Sequence, residues 1–273
     1  MHAARVFPLD SLRTLLIDMD GVLYRGPYAL PGAAELFAVL RSIGIGHNLI
    51  TNNSSRTPQQ YLNKLAGLGI DVAPEQLLTT GQATAAYLRE ICPEGAPVFV
   101  IGEEGLVQPV EEAGFWLDDR SPRYVLVGLD RGFSYEKLKV ATHAVMAGAE
   151  LIASNPDVTF PTDEGLLPGA GAFLAAIYAC TGAKPLVIGK PETRTLEIAM
   201  RRLGAAPEQT AIIGDRLETD ILAGKRAGIG TILVLTGIST RADLESSECQ
   251  PDYVFEGMPD FIAALEQAQL VSR

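Results

Sequence analysis

The stretch Leu15-Leu16-Ile17-Asp18-Met19-Asp20-Gly21-Val22-Leu23 runs a continuous apolar segment straight into two carboxylates, followed by a glycine that can turn the chain at positive φ. Three apolar residues in a row, without polar alternation, mark a strand buried on both faces, as in a parallel sheet covered by helices. Two aspartates at the end of such a strand need a cation. A calcium loop of the EF-hand kind does not supply the reason, because the bidentate Glu at its twelfth position is absent.

The same kind of apolar run recurs along the chain. It predicts strands at Thr14 to Ile17, His47 to Thr51, Pro97 to Ile101, Tyr124 to Leu129, Leu151 to Ala153, Leu186 to Ile188, Thr210 to Ile213 and Gly230 to Val234. Segments such as Ala33 to Ser42, Pro58 to Leu68 and Tyr135 to Ala147 have the length and composition of helices. Strand followed by helix, repeated, predicts a parallel α/β fold. Ligands bind such sheets beyond the carboxyl ends of the strands. Four of those ends carry polar residues: Asp18 and Asp20; Thr51, Asn52 and Asn53; Lys190; and Asp215.

A chain of 273 residues exceeds one typical domain of roughly 150, so two domains are expected. With 47% apolar and 20% charged residues it can bury a sizeable core, which excludes a wholly disordered chain. The net charge of −11 and the lack of a Lys/Arg cluster argue against nucleic acid as a partner. An anionic substrate would therefore need a locally positive pocket, made by a metal ion, a Lys or backbone N–H groups. Cys92, Cys180 and Cys249 are far apart and lack C-x-x-C spacing, which fits unpaired thiols in a reducing, cytoplasmic setting. No apolar run reaches the ~18 residues of a membrane span. His2, His47 and His143 have no Cys or His at ligand spacing, so zinc is not supported. Trp116 is read as a packing residue. Gly169-Ala170-Gly171 lacks the third glycine of a dinucleotide loop and no strand is predicted directly before it, so it is read as a helix start.

The strand ends fit one chemistry. Asp215, in Gly214-Asp215-Arg216-Leu217-Glu218-Thr219-Asp220, adds a third carboxylate to an oxygen-rich site whose natural occupant is Mg2+. Lys190, just after a buried strand, is costly there unless paired with Asp18, Asp215 or a phosphate. Thr51, Asn52 and Asn53 offer hydroxyl, amide and backbone donors of the kind phosphate oxygens accept; they equally suit a polar turn.

Taken in order, Asp18-x-Asp20-Gly21, Thr51, Lys190 and Gly214-Asp215-x-x-x-x-Asp220 resemble the four motifs of the haloacid dehalogenase superfamily. The strings Asp20-Gly21-Val22-Leu23, Thr51-Asn52-Asn53-Ser54, Ser154-Asn155-Pro156-Asp157 and Ile188-Gly189-Lys190-Pro191 are similar to its NagD-like, or p-nitrophenylphosphatase-like, branch.

The resemblance implies an α/β core with a doubly wound, Rossmann-like parallel sheet, and a Mg2+-dependent phosphatase acting on a small phosphorylated metabolite through an aspartyl-phosphate. Asp18 would be the nucleophile and Asp20 the general acid and base. Asp18, the Asp20 carbonyl and Asp215 would hold the metal, and Thr51, Asn52, Asn53 and Lys190 the phosphate. Asp220 would act behind them, on Lys190 or a metal-bound water.

The same motifs leave two rivals: a phosphotransferase or phosphomutase using that intermediate, and a non-catalytic phosphometabolite-binding protein. About 140 residues separate Thr51 from Lys190, far more than an ordinary connection. An inserted domain is therefore expected at 81–183, between core segments 1–80 and 184–273, and its strand and helix alternation resembles the α/β cap of the NagD-like branch. Asn155 and Asp157 are candidates for contacting substrate or ordering the segment that returns to the core. The resemblance also implies a homodimer formed through the caps.

Overall fold

The computed structural model of the chain describes residues 6–162 and 165–271. Two compact units emerge. The first comprises residues up to Ile50, Leu62–Leu78 and those from Lys190 onward; the second comprises Thr51–Tyr61 and Thr79–Gly189.

The first unit is built on a six-stranded sheet in the order Tyr253–Phe255, Gly230–Val234, Thr210–Gly214, Thr14–Asp18, Gly46–Thr51, Leu77–Thr79. The Thr14–Asp18 strand lies parallel to both neighbours, with Ile17 opposite Ile213 on one side and Leu49 on the other. Succeeding strands depart from it in opposite directions, so a topological switch point falls between Thr14–Asp18 and Thr210–Gly214, where open α/β sheets bind ligands. Leu15, Leu16, Ile17, Ile212, Ile213, Ile232 and Leu233 are fully buried. Each such side chain contributes about 1.5–3 kcal/mol of burial, which is why unbroken apolar runs make the centre of the sheet. Helices Ala33–Ile43 and Arg194–Leu203 both end on a glycine with positive φ, Gly44 and Gly204.

The second unit has its own five-stranded sheet, ordered Leu186–Val187, Glu150–Ala153, Tyr124–Val127, Pro97–Ile101, Trp116–Leu117 and parallel throughout. Helices Tyr135–Met146 and Ala170–Thr181 cover it, and Val125, Val127, Ala141, Ala153, Leu174 and Ile177 form the core between them. The helix Thr80–Ile91 opens on a reciprocal cap between Thr79 and Gln82. The strand Leu186–Val187 pairs with Glu150–Ala153, so this unit extends to Gly189.

Two expectations are corrected. Trp116 is not a packing residue: it is 51% exposed, because its two-residue strand is the edge of the sheet. A strand, Gly165–Pro168, does precede the helix Ala170–Thr181; it pairs antiparallel with Thr159–Thr162. Its two leucines between Gly165 and Pro168 are too short an apolar run to be distinguished from a turn. All three cysteines are free thiols. Among the described residues no helix is long and apolar enough to cross a membrane.

Candidate active site

Asp18 closes the central strand of the first unit, and Asp215 follows the neighbouring strand Thr210–Gly214. The switch point thus gathers residues far apart in sequence. Lys190 Nζ donates to Asp18 Oδ1 and to Asp220 Oδ1, each at 2.5 Å. Asp18, Lys190, Asp215 and Asp220 are all buried. Asp220 lies in a single π-helical turn, Leu217–Ile221, and its Oδ2 accepts from the Arg216 N–H at 3.1 Å. Such turns occur inside helices at functional positions, where they re-aim a side chain.

Asp215 is held by the loop after the next strand, Gly230–Val234. Its Oδ2 accepts from the Ile238 N–H at 2.7 Å, and its carbonyl accepts from the Ser239 N–H at 3.0 Å. Gly237 permits this approach, since a Cβ there would lie 1.8 Å from Asp215 Oδ2. Gly21 does the same beside it: its φ is +82° and a Cβ would stand 2.4 Å from that oxygen and 3.1 Å from the Gly237 Cα.

Burial raises the Asp18 carboxyl well above its ordinary range, Lys190 pulls it down, and Asp220 and Asp215 push it further up. Asp215 is pushed up to about 7, first by burial and then by Asp220. For Lys190, burial favours the neutral amine, but Asp18 and Asp220 outweigh it and keep the ammonium charged.

The residues present fit a hard divalent cation. Asp18, Asp215 and Asp220 offer carboxylate oxygens within 4.8 Å of one another, and Lys190 is the ammonium hydrogen-bonded among them. Oxygen donors without Cys or His match Mg2+ or Ca2+ chemistry. Both Asp220 oxygens are already engaged, one by Lys190 and one by the Arg216 N–H, which leaves Asp18 and Asp215 better placed as direct ligands.

Asp20 stands on the turn beyond the strand and is exposed. Its Oδ2 accepts from the Tyr24 hydroxyl at 3.3 Å. Thr51 ends the strand Gly46–Thr51, one residue after Ile50, the register partner of Asp18. Asn52 and Asn53 belong to the second unit. There the Thr51 hydroxyl accepts from the Asn53 N–H at 3.1 Å, and Asn53 Oδ1 accepts from the Ser55 N–H at 2.9 Å. Asn52 Nδ2 donates to Asp157 Oδ2 at 3.2 Å, and Asn155 Nδ2 donates to the Asn52 carbonyl at 2.8 Å. Asn155 and Asp157 therefore order the Asn52 segment.

Asp18, Lys190, Asp215 and Asp220 are brought together as one cluster. Sequence reasoning missed Tyr24, Gly237, Ile238 and Ser239. The last three lie in a further strand-end loop, Thr236-Gly237-Ile238-Ser239, whose glycine was the available signal.

A family model described as haloacid dehalogenase-like hydrolase matches residues 15–116, and a HAD-hydrolase-like model matches 187–261. An acid sugar phosphatase of Staphylococcus aureus is 41% identical over 260 residues, spanning 95% of this chain and all of that protein. The crystal structure of a 4-nitrophenylphosphatase from Thermotoga maritima is similar with a TM-score of 0.91 at 37% identity, covering 94% of this chain and 98% of its own. NagD from Escherichia coli K-12 is similar with a TM-score of 0.85 at 37% identity, covering 90% and 97%.

The switch-point carboxylates and these likenesses define the class, and the chain belongs to the haloacid dehalogenase-like hydrolases. Within them it is a phosphoric monoester hydrolase of the NagD-like branch.

Proposed function

We propose that the chain hydrolyses phosphate monoesters of small metabolites, sugar phosphates first among them, through an aspartyl-phosphate formed on Asp18 with Mg2+ as cofactor. The observation that carries this reading is the buried cluster in which Lys190 bridges Asp18 and Asp220 beside Asp215. The sugar-phosphate preference is supported by the acid sugar phosphatase relative.

An Asp18 oxygen attacks phosphorus in line, forming a new P–O bond as the ester P–O bond breaks. The bonding pair leaves on the ester oxygen, which takes a proton from Asp20. Water then attacks the aspartyl-phosphate while Asp20 takes a proton from it, and the bond to Asp18 opens to release inorganic phosphate. Lys190 holds Asp18 in place and offsets phosphoryl charge, and Thr51, Asn52 and Asn53 supply neutral donors. Asp220 keeps Lys190 charged and oriented. Asp18, the Asp20 carbonyl and Asp215 would hold Mg2+, which when bound supplies the positive charge that lets two anions meet.

The second unit is read as the cap that selects substrate. A homodimer through that unit is part of the reading, supported by Trp116 and Leu117 standing about half exposed on an edge strand. A cytoplasmic setting is supported by the three free thiols.

The test is a panel of phosphorylated metabolites assayed with Mg2+ and with chelator, reporting kcat/KM and free phosphate. Release of phosphate without an added acceptor, abolished by chelation and restored by Mg2+, is expected. Turnover that survives chelation, or phosphate that appears only when an acceptor hydroxyl is supplied, would overturn it.

A further inference from the structure

We propose that Tyr24 is a positioning residue for proton transfer: its hydroxyl fixes which oxygen of Asp20 meets the leaving group and, later, the attacking water. The inference rests on Asp20 being the general acid and base.

Asp20 is exposed, and a carboxyl on an exposed turn samples several rotamers. A general acid, by contrast, must present its proton within hydrogen-bond reach of one oxygen. Tyr24 supplies a restraint on one of the two Asp20 oxygens. Its side chain is fully buried, yet its O–H reaches Asp20 Oδ2 at 3.3 Å. The backbone closes the same turn: the Gly21 N–H donates to the Tyr24 carbonyl at 2.8 Å, and Tyr24 N–H to the Met19 carbonyl at 3.3 Å. Residues 20 and 24 also form a β-bridge. From the other side Lys64 Nζ stands 3.4 Å from the centre of the Tyr24 ring. A cation over the ring face holds the ring in place and draws electron density from it, which strengthens the phenolic O–H as a donor.

A donor on Oδ2 has a chemical consequence. With Tyr24 O–H directed at Oδ2, the proton that Asp20 delivers sits on Oδ1. Cleavage moves that proton from Oδ1 to the ester oxygen, which carries away the electron pair of the broken P–O bond. Hydrolysis of the aspartyl-phosphate then returns a proton from water to Oδ1. Tyr24 keeps its own proton throughout, so one hydrogen bond serves both half-reactions.

The discriminating measurement is leaving-group dependence. For the Mg2+-loaded enzyme, kcat/KM reports the steps up to departure of the alcohol or phenol. Phenyl phosphate expels a phenol with a pKa of about 10 and needs the acid, whereas 2,4-dinitrophenyl phosphate expels a stable phenolate and does not. Tyr24→Phe retains the buried ring under Lys64 and removes only the hydroxyl. It should lower kcat/KM for phenyl phosphate by about 10-fold while leaving the dinitrophenyl ester within about 2-fold. The ratio of the two values cancels any loss of folded enzyme, so reduced stability of the variant cannot imitate the result.

Asp20→Asn is measured beside it and should shift the ratio in the same direction by a larger factor. If Asp20→Asn shifts the ratio and Tyr24→Phe does not, the role of Tyr24 is refuted and the acid assignment stands. If Asp20→Asn lowers both substrates equally, the acid assignment fails and the inference fails with it.

Discussion

Lys190 and Asp220 form an ion pair of 2.5 Å in which the two side chains are only 3% and 1% exposed. A buried ammonium is tolerated while its carboxylates face it, and truncating one of them removes both a countercharge and a hydrogen-bond acceptor that an isosteric amide would retain. Asp220→Ala should therefore destabilise the protein by about 3 kcal/mol, and it also removes the acceptor of the Arg216 N–H. Urea unfolding checks this. A change below about 1 kcal/mol would show that the pair is solvated and contributes little.

The close approach of Gly237 to Asp215 makes a second prediction. A methyl at position 237 cannot coexist with the Asp215 carboxylate, because its Cβ would fall 1.8 Å from Oδ2. Gly237→Ala should displace the carboxylate rather than unfold the sheet. The Mg2+ concentration for half-maximal activity should rise by about 10-fold or more, with a normal circular dichroism spectrum. An unchanged Mg2+ requirement would mean that Asp215 does not serve the metal.

Much of this site was legible before any coordinates. Asp18, Lys190 and Asp215 each follow an apolar run that only a buried strand explains, and a charge at that position is conspicuous against such a run. Asp220 was legible only through the resemblance of Gly214-Asp215-x-x-x-x-Asp220 to a haloacid dehalogenase motif. What could not be read acts through the backbone or through burial. Ile238 holds Asp215 with an N–H that every non-proline residue carries, and Tyr24 has the composition of an ordinary core residue until its hydroxyl is seen to face Asp20. The limits of the second unit were hidden for a related reason. Leu186–Val187 has the same apolar signature whichever sheet it joins, and only pairing with Glu150–Ala153 assigns it.

Asp252 links stability to pH away from the catalytic cluster. Burial opposes its ionisation, but hydrogen bonds from Lys225, from the Thr231 hydroxyl and from the Thr231 N–H outweigh burial and hold its carboxyl below the usual range. Because the folded state keeps this group ionised longer than the unfolded chain does, its contribution is complete above the ordinary carboxylate pKa of about 3.9. It is lost as pH falls through the lower folded value. Lys225 is 37% exposed, so solvent screens part of the pair. Asp252→Asn should cost about 1 kcal/mol at neutral pH, and the difference from the parent should be smaller at about pH 3. Urea midpoints at the two pH values test this; a penalty independent of pH would remove the carboxylate from the explanation.

Asp18 separates stability from activity. Its ionised form is disfavoured first by burial and then by the neighbouring Asp220 and Asp215, with Lys190 acting in the opposite direction. Replacing it by the isosteric amide relieves that repulsion while leaving an oxygen to accept from Lys190. Asp18→Asn measured in chelator should therefore be as stable as the parent, or more stable by up to about 1 kcal/mol. Its phosphatase activity should fall at least about 1,000-fold, because an amide oxygen cannot form the acyl-phosphate. Added Mg2+ should raise the melting temperature of the parent more than that of the variant, since a ligand stabilises only the state that binds it. A variant that keeps its turnover would remove Asp18 from the role of nucleophile. One that loses more than about 2 kcal/mol in chelator would show that the charge of Asp18 holds the fold together rather than straining it.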